Sequence, residues 1–187
     1  MNILVINNGS TFIRQLKKLL AKHELTVLGP VELKQFPTDQ FDLIVLSGGS
    51  IKHVMRNEKL YQKELELIRK TKIPIIGICL GLELIILVLN GKLAKMKKKK
   101  VGLAEIKISK RNPIFVNLPN KKVYKHHRWN IKKLPRTLIE LARSEDGVEV
   151  VRHRSKKIYG FQFHPEVFPA TTCGDEIFNN LLKELKK

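Results

Sequence analysis

Ile73-Pro-Ile-Ile-Gly-Ile-Cys-Leu-Gly-Leu-Glu-Leu-Ile-Ile-Leu-Val-Leu-Asn90 decides the reading of this chain. Ile73 to Ile78 is an apolar, β-branched run of the kind a fully buried parallel strand needs. Leu80 to Leu89 is too long for a second strand and predicts a buried helix that stops at Asn90-Gly91. Between them lies Gly77-x-Cys79-x-Gly81, the spacing of a nucleophile elbow. A sharp strand-to-helix turn leaves no room for side chains two residues either side of the nucleophile. Such a turn lifts the Cys79 sulfur to the carboxyl end of the sheet, where a helix N-terminus favours the thiolate. The same residues are compatible with a buried structural cysteine whose glycines merely end a strand.

Near the other end of the chain, Ile158-Tyr-Gly-Phe-Gln-Phe-His-Pro-Glu166 bears on that choice. Another apolar strand delivers His164, and Glu166 lies two residues further on. A nucleophilic Cys needs a neighbouring base, and the base needs a third group to hold its tautomer and stabilise the imidazolium. The spacing lets a carboxylate swing back to the imidazole across Pro165. His-Pro-Glu alone is compatible with an ordinary loop, whereas its pairing with the elbow favours a Cys79–His164–Glu166 triad.

At these residues the sequence resembles the class I glutamine amidotransferases, whose hallmarks are G-[IV]-C-x-G and F-H-P-E. A third family element, Leu46-Ser-Gly-Gly-Ser50, follows the apolar run Phe41 to Leu46. The resemblance implies that Gly49 and Leu80 supply the oxyanion N–H groups and that Gly48, Glu83 and His127 lie on the substrate side. Within the family, the segments Leu134-Pro135, Leu141-Ala-Arg-Ser144 and Gly174-Asp-Glu-Ile177 are most similar to the free-standing glutaminase subunit of GMP synthetase. The implied activity is hydrolysis of glutamine and delivery of ammonia to a separate ATP-dependent synthetase, here the one that makes GMP.

Composition fits that picture only in part. A chain of 187 residues can bury a proper core and predicts one domain over 1–187. Two cysteines, Cys79 and Cys173, are too few for a disulfide framework and point to the reducing cytoplasm. Met1-Asn-Ile-Leu-Val-Ile6 leads directly into a strand, and the apolar stretch after Cys79 is interrupted by Glu83. Neither a signal peptide nor a membrane span is expected. No cofactor is expected: Ser47-Gly-Gly-Ser50 lacks the Lys of a P-loop, and the histidines lack ligand spacing for a metal.

The net charge of +19 is unevenly spread, with sixteen Lys/Arg against one acidic residue, Glu105, from Lys92 to Arg136. Such a field steers acidic partners or polyanions to one side of the molecule. Lys95–Lys100 is expected to be a solvated loop, then a docking segment for an acidic synthetase. Nucleic acid is a possible partner but not the favoured one, because aromatic residues do not interleave the charges.

In chain order, strands are expected at Asn2 to Ile6, Glu24 to Leu28, Phe41 to Leu46 and Ile73 to Ile78. Helices are expected at Thr11 to His23, Asn57 to Thr71 and Leu80 to Leu89, with Gly29 to Gln40 as a loop or degraded crossover. This alternation predicts an α/β, doubly wound, mostly parallel sheet with helices on both faces. Short runs at Val101 to Ser109, Lys121 to Lys125, Thr137 to Arg143, Val148 to His153 and Ile158 to Phe163 predict an antiparallel extension. A final helix is expected from Gly174 to Leu185.

Several recognition positions depart from the family. Leu82-Glu83 stands where His-Gln or Met-Gln is usual, Asn7-Asn-Gly-Ser-Thr-Phe12 replaces the first-turn pattern, and His126-His-Arg-Trp129 replaces S-H-x-D. An ionised Glu83 accepts hydrogen bonds but cannot donate them, and it repels a substrate carboxylate. Two alternatives therefore stand beside the glutaminase: a binding or regulatory module with weak or no activity, and a hydrolase of another γ-glutamyl compound.

Overall fold

A computed structural model describes residues 1–33, 40–49, 58–169 and 171–186. Among these residues, ten strands and four α-helices follow one another as β1 (Asn2–Ile6), α1 (Ile13–Leu19), β2 (Glu24–Leu28), β3 (Leu43–Leu46), α2 (Glu58–Lys70), β4 (Ile75–Ile78), α3 (Leu80–Val88), β5 (Lys92–Glu105), β6 (Lys107–Ile108), β7 (Lys122–Lys133), β8 (Leu138–Ser144), β9 (Gly147–His153), β10 (Ile158–Phe161) and α4 (Gly174–Leu185). Eight strands form one sheet in the order β2-β1-β3-β4-β10-β9-β8-β6. The β2-β1-β3-β4-β10 part is parallel, and β9, β8 and β6 extend it antiparallel.

The period-2 alternation of strand side chains divides the core into two layers. Ile3, Val5, Leu43, Val45, Ile76 and Ile78 face one way and meet Leu16 of α1 and Ile177, Phe178 and Leu181 of α4. Leu4, Ile6, Ile44, Leu46 and Ile75 face the other way and meet Tyr61 and Ile68 of α2 and Leu82, Ile85 and Ile86 of α3. With both faces covered, the central strands can be apolar throughout, and the residues of β3 and β4 are all buried. Helix α3 is sandwiched deeply enough that Leu80 to Ile86 are all buried. This is the expected sheet, with helices on both faces.

The basic segment differs from expectation. Lys95–Lys100 is part of β5, not a loop, and β5 pairs antiparallel with β7 in a separate two-stranded ribbon. A register shift falls between Lys95, opposite Trp129, and Lys100, opposite His127. A run of lysines has poor strand propensity. Pairing with β7 and the contacts of that strand with β9 hold it, not local preference.

The expected strand Val101 to Ser109 is divided at Ile106, a buried residue whose N–H donates to Lys121 O. β6, beyond that break, joins the edge of the main sheet instead of the ribbon. Helix α1 is shorter than Thr11 to His23, because Ser10 and Phe12 form a turn before it and Leu20 closes it. Gly29 to Gln40 opens with a 3-10 turn at Pro30–Glu32. Residues 34–39 of that segment, Ser50 of the glycine motif and Asn57 at the expected helix start lie outside the described residues.

Candidate active site

Cys79 occupies the sharp turn between β4 and α3 with φ 50° and ψ −104°, a conformation that L-residues rarely adopt. Its N–H is tied to Phe161 O at 2.7 Å, and its carbonyl accepts the first helical bond from Glu83 N at 3.0 Å. The flanking glycines allow this crossing: a Cβ on Gly77 would lie 2.7 Å from the Gly81 carbonyl. A Cβ on Gly81 would collide with the Leu46 carbonyl at the end of β3. The spacing read from sequence is therefore a steric requirement of the turn.

β10 ends at Phe161, and the chain then turns through Gln162 and Phe163 to His164, whose N–H donates to Tyr124 O of β7 at 2.9 Å. His164 Nδ1 donates to Glu166 Oε1 at 2.8 Å, and both side chains are almost wholly buried. Gly48, after β3, touches both groups. A Cβ there would stand 2.8 Å from His164 Cε1 and 3.6 Å from Cys79 Cβ. Three motifs far apart in sequence thus converge on the carboxyl ends of β3, β4 and β10, where ligands bind in open α/β sheets.

The two residues assigned to the oxyanion by resemblance are also neighbours. A Cβ on Gly49 would lie 2.9 Å from Leu80 Cδ2 and 2.6 Å from Asn8 O. The Leu80 N–H, first of α3, points at the Cys79 sulfur and stabilises its thiolate. That help is outweighed. Burial first, then the Glu83 and Glu166 carboxylates, push the Cys79 thiol well above its ordinary range. The thiol is thus protonated at neutral pH, and its contact is to His126 O at 4.0 Å.

Glu83 is buried on the first turn of α3, on the α2 side, where it also acts on the Tyr61 hydroxyl. His127 lies on the inward face of the ribbon with its Nδ1 donating to Trp129 O at 2.8 Å. Burial lowers its pKa to about 4, so it is neutral, and its Nε2 has no hydrogen-bond partner among the described residues. Beside it, Lys125 is buried against Asp146, Glu149 at 3.2 Å and Ser144 at 2.9 Å. This cluster fastens the ribbon to β9, and Lys100 reinforces it at 2.7 Å from Asp146.

Three site residues lie in segments that the sequence marked only as departures from the family, with no role assigned to them individually. The Phe12 ring lies 4.8 Å from the His164 ring, and the His126 ring 6.3 Å from it, so both bound the space around the imidazole. Asn8 braces the glycine turn through Ser47. Alternation along β7 could have signalled His126, because Val123, Lys125 and His127 face inward and leave Tyr124 and His126 on the face that meets Phe12. Among the described residues no cluster of His, Cys, Asp and Glu could hold a metal, and no helix is long and apolar enough to cross a membrane.

Comparison with known proteins identifies the family. The sequence model of the family described as glutamine amidotransferase class-I matches residues 4–184. The glutamine-hydrolyzing GMP synthase subunit of Pyrococcus furiosus is 34% identical over 188 residues, covering 97% of each chain. The protein of the same description from Methanocaldococcus jannaschii is 30% identical over 189 residues, covering 97% of this chain and 96% of its own. A match to the glutamine-hydrolyzing GMP synthase of Spiroplasma kunkelii, 32% identical over 151 residues, spans only 29% of that longer chain. In structure, a Thermoplasma acidophilum protein described as a GMP synthase subunit superposes with a TM-score of 0.87 at 26% identity, over 100% of this chain and 94% of its own. A glutamine amidotransferase from Thermotoga maritima shares the fold, with a TM-score of 0.80 at 20% identity over 99% and 97% of the two chains.

Proposed function

The chain belongs to the class I glutamine amidotransferase family, and from that premise we propose that it is a glutaminase subunit. It acts as a single cytoplasmic domain that hydrolyses glutamine and hands ammonia to a separate ATP-dependent synthetase, the one that makes GMP. The observation that carries this reading is the meeting of the Cys79 elbow and the buried His164–Glu166 pair at Gly48.

In the first half-reaction the Cys79 sulfur attacks the side-chain amide carbon of glutamine, and the thiol proton passes to His164. The oxygen of the tetrahedral intermediate takes the negative charge and is held by the N–H groups of Gly49 and Leu80. His164 returns the proton to the departing nitrogen, the C–N bond breaks, and ammonia leaves a γ-glutamyl thioester. In the second half-reaction His164 takes a proton from water, hydroxide attacks the thioester, and glutamate leaves as Cys79 is reprotonated. Glu166 holds the Nδ1–H tautomer throughout and offsets the imidazolium charge. A thiol held protonated makes proton transfer to His164 part of the attack itself.

The raised Cys79 thiol and the carboxylate of Glu83 beside it support a second reading, in which the chain turns over glutamine poorly and serves as a binding or regulatory module, or acts on another γ-glutamyl compound. One experiment separates the readings. The protein is incubated with 6-diazo-5-oxo-L-norleucine, alone and with the synthetase that makes GMP, and digested for mass spectrometry. Modification at Cys79 together with release of glutamate from glutamine supports the glutaminase. A Cys79 unmodified in both incubations overturns it.

A further inference from the structure

Behind the elbow, on the side away from His164, Glu64 of α2 is completely buried. Its Oε1 accepts from Asn8 Nδ2 at 3.0 Å. Asn8, itself buried, uses its other groups on the turn after β3. Its backbone N–H donates to Ser47 Oγ at 2.9 Å, and its Nδ2 also reaches Ser47 O at 3.3 Å. The Ser47 hydroxyl in turn donates to Gly48 O at 2.8 Å, and the Asn8 carbonyl stands so close to Gly49 that a Cβ there would lie 2.6 Å from it. A continuous buried chain therefore runs from a carboxyl on α2, through Asn8 and Ser47, to the two glycines that face His164 and Leu80.

We propose that Glu64 is a positioning residue for the Ser47–Gly49 turn, acting through Asn8. Without this acceptor the Asn8 side chain keeps only its longer bond to Ser47 O, too little to fix the amide plane of Asn8 against the turn. The turn presents an N–H to the developing oxyanion, so its placement bears on turnover more than on substrate capture.

Burial raises the Glu64 pKa to about 8, and the bond from Asn8 only partly opposes the rise. The group is thus a neutral acid at pH 7, with Oε1 as carbonyl acceptor and the proton on Oε2, which has no hydrogen-bond partner among the described residues. Tyr61 lies on the preceding turn of the same helix, within reach of both Glu64 and Glu83 of α3. Both carboxyls act on the Tyr61 hydroxyl and, after burial, help push it to about 12. On the strand side it meets the neutral pair Asn8 and Ser47. Ionisation above pH 8 would place a charge at the root of the chain and reset every bond along it.

This inference rests on the glutaminase reading for its catalytic consequence, so the test has one arm that does not depend on turnover. In the first arm, glycine carbonyls are labelled with 13C and the Gly48 and Gly49 signals are followed from pH 6 to 9.5. The expected result is a step in both signals with a midpoint near 8 in the wild type, absent in Glu64→Gln. No step in the wild type, or an unchanged step in Glu64→Gln, overturns the proposal. In the second arm, glutamine hydrolysis is measured at pH 7. Glu64→Leu, which fills the site without an acceptor, should lower kcat about tenfold or more with KM within about twofold. Glu64→Gln should keep near-normal kcat and lose any alkaline inflection near 8. Equal kcat in Glu64→Leu and wild type overturns the proposal and leaves the glutaminase reading intact. A wild type inactive on glutamine removes the glutaminase reading and leaves the carbonyl titration to decide the role of Glu64.

Discussion

His164 Nδ1 and Glu166 Oε1 lie 2.8 Å apart in a pair that solvent hardly reaches, and the carboxylate meets the imidazole from only two residues away. The pair is therefore rigid, since a buried charge-assisted hydrogen bond is short, strong and costly to break. Glu166→Gln keeps the volume but removes the charge that stabilises the imidazolium. It should lower kcat for glutamine by about a hundredfold or more at unchanged fold. Steady-state kinetics with a near-ultraviolet spectrum as the folding control decides it, and a loss under threefold would take Glu166 out of the mechanism.

Gly48 stands where the Cys79 elbow and the His164 ring meet. Gly48→Ala inserts a methyl group 2.8 Å from His164 Cε1, and neither the buried imidazole nor the elbow behind it has room to retreat. The variant should fold with about 1–3 kcal/mol less stability and lose most of its turnover. Urea unfolding beside glutamate release measures both, and wild-type turnover would contradict the packing.

Glu83→Gln removes the first of the charges that raise the Cys79 thiol and the repulsion expected against the carboxylate of a bound substrate. kcat/KM for glutamine should rise, mainly through KM, because the repulsion is present in the ground state. The pH dependence of thiol alkylation should move to lower pH. An unchanged or lower kcat/KM means that Glu83 is already paired within the protein or serves the substrate as a partner, holding the ammonium of glutamine or of a different amine.

Glu64 also gives a pH dependence of stability. Its folded-state pKa, about 8, lies above the 4.5 of an ordinary Glu. The folded state therefore binds the extra proton between these values. The contribution is complete below pH 4.5, declines by as much as about 1.4 kcal/mol per pH unit as the unfolded chain ionises, and is lost above pH 8. The difference in unfolding free energy between wild type and Glu64→Gln should fall between pH 5 and pH 8. Guanidinium titrations at four pH values measure it, and a difference independent of pH would show an ordinary carboxyl.

The lysines of the ribbon divide by role. Lys97, Lys98 and Lys99 are exposed, whereas Lys100 is bound to Asp146. Lys99 Nζ is held 2.8 Å from His126 Nε2, so reversing Lys97 and Lys98 alone should slow association with an acidic synthetase, with little effect on dissociation or stability. The wild-type association rate should itself fall as salt rises towards physiological ionic strength, where the Debye length is about 8 Å. Lys100→Glu should instead loosen the ribbon and lower Tm. Stopped-flow association and calorimetry separate the two, and a rate independent of salt would place the interface elsewhere.

The local parts of the site were legible in the sequence because single steric and chemical demands produced them. Gly77, Cys79 and Gly81 are fixed by one turn, and His164 and Glu166 by one short loop. The central strands were legible for a similar reason, since a strand covered on both faces must be apolar throughout. What was not legible depends on partners distant in sequence. The Lys95–Lys100 strand exists because β7 pairs with it 27 to 34 residues later, and local propensity argues against it. His126 and Phe12 meet His164 only because the ribbon and α1 converge on one end of the sheet. The Asn8–Glu64 bond spans 56 residues, and no periodicity in either segment announces it.

The backbone at Cys79 has a consequence for how this protein can change. A non-glycine residue at φ 50° and ψ −104° holds strain of order 1–3 kcal/mol, which glycine would relieve. A library selected for thermal endurance alone should drift to glycine at position 79, while one selected for turnover should keep the thiol. At this position, under the glutaminase reading, durability and chemistry pull in opposite directions.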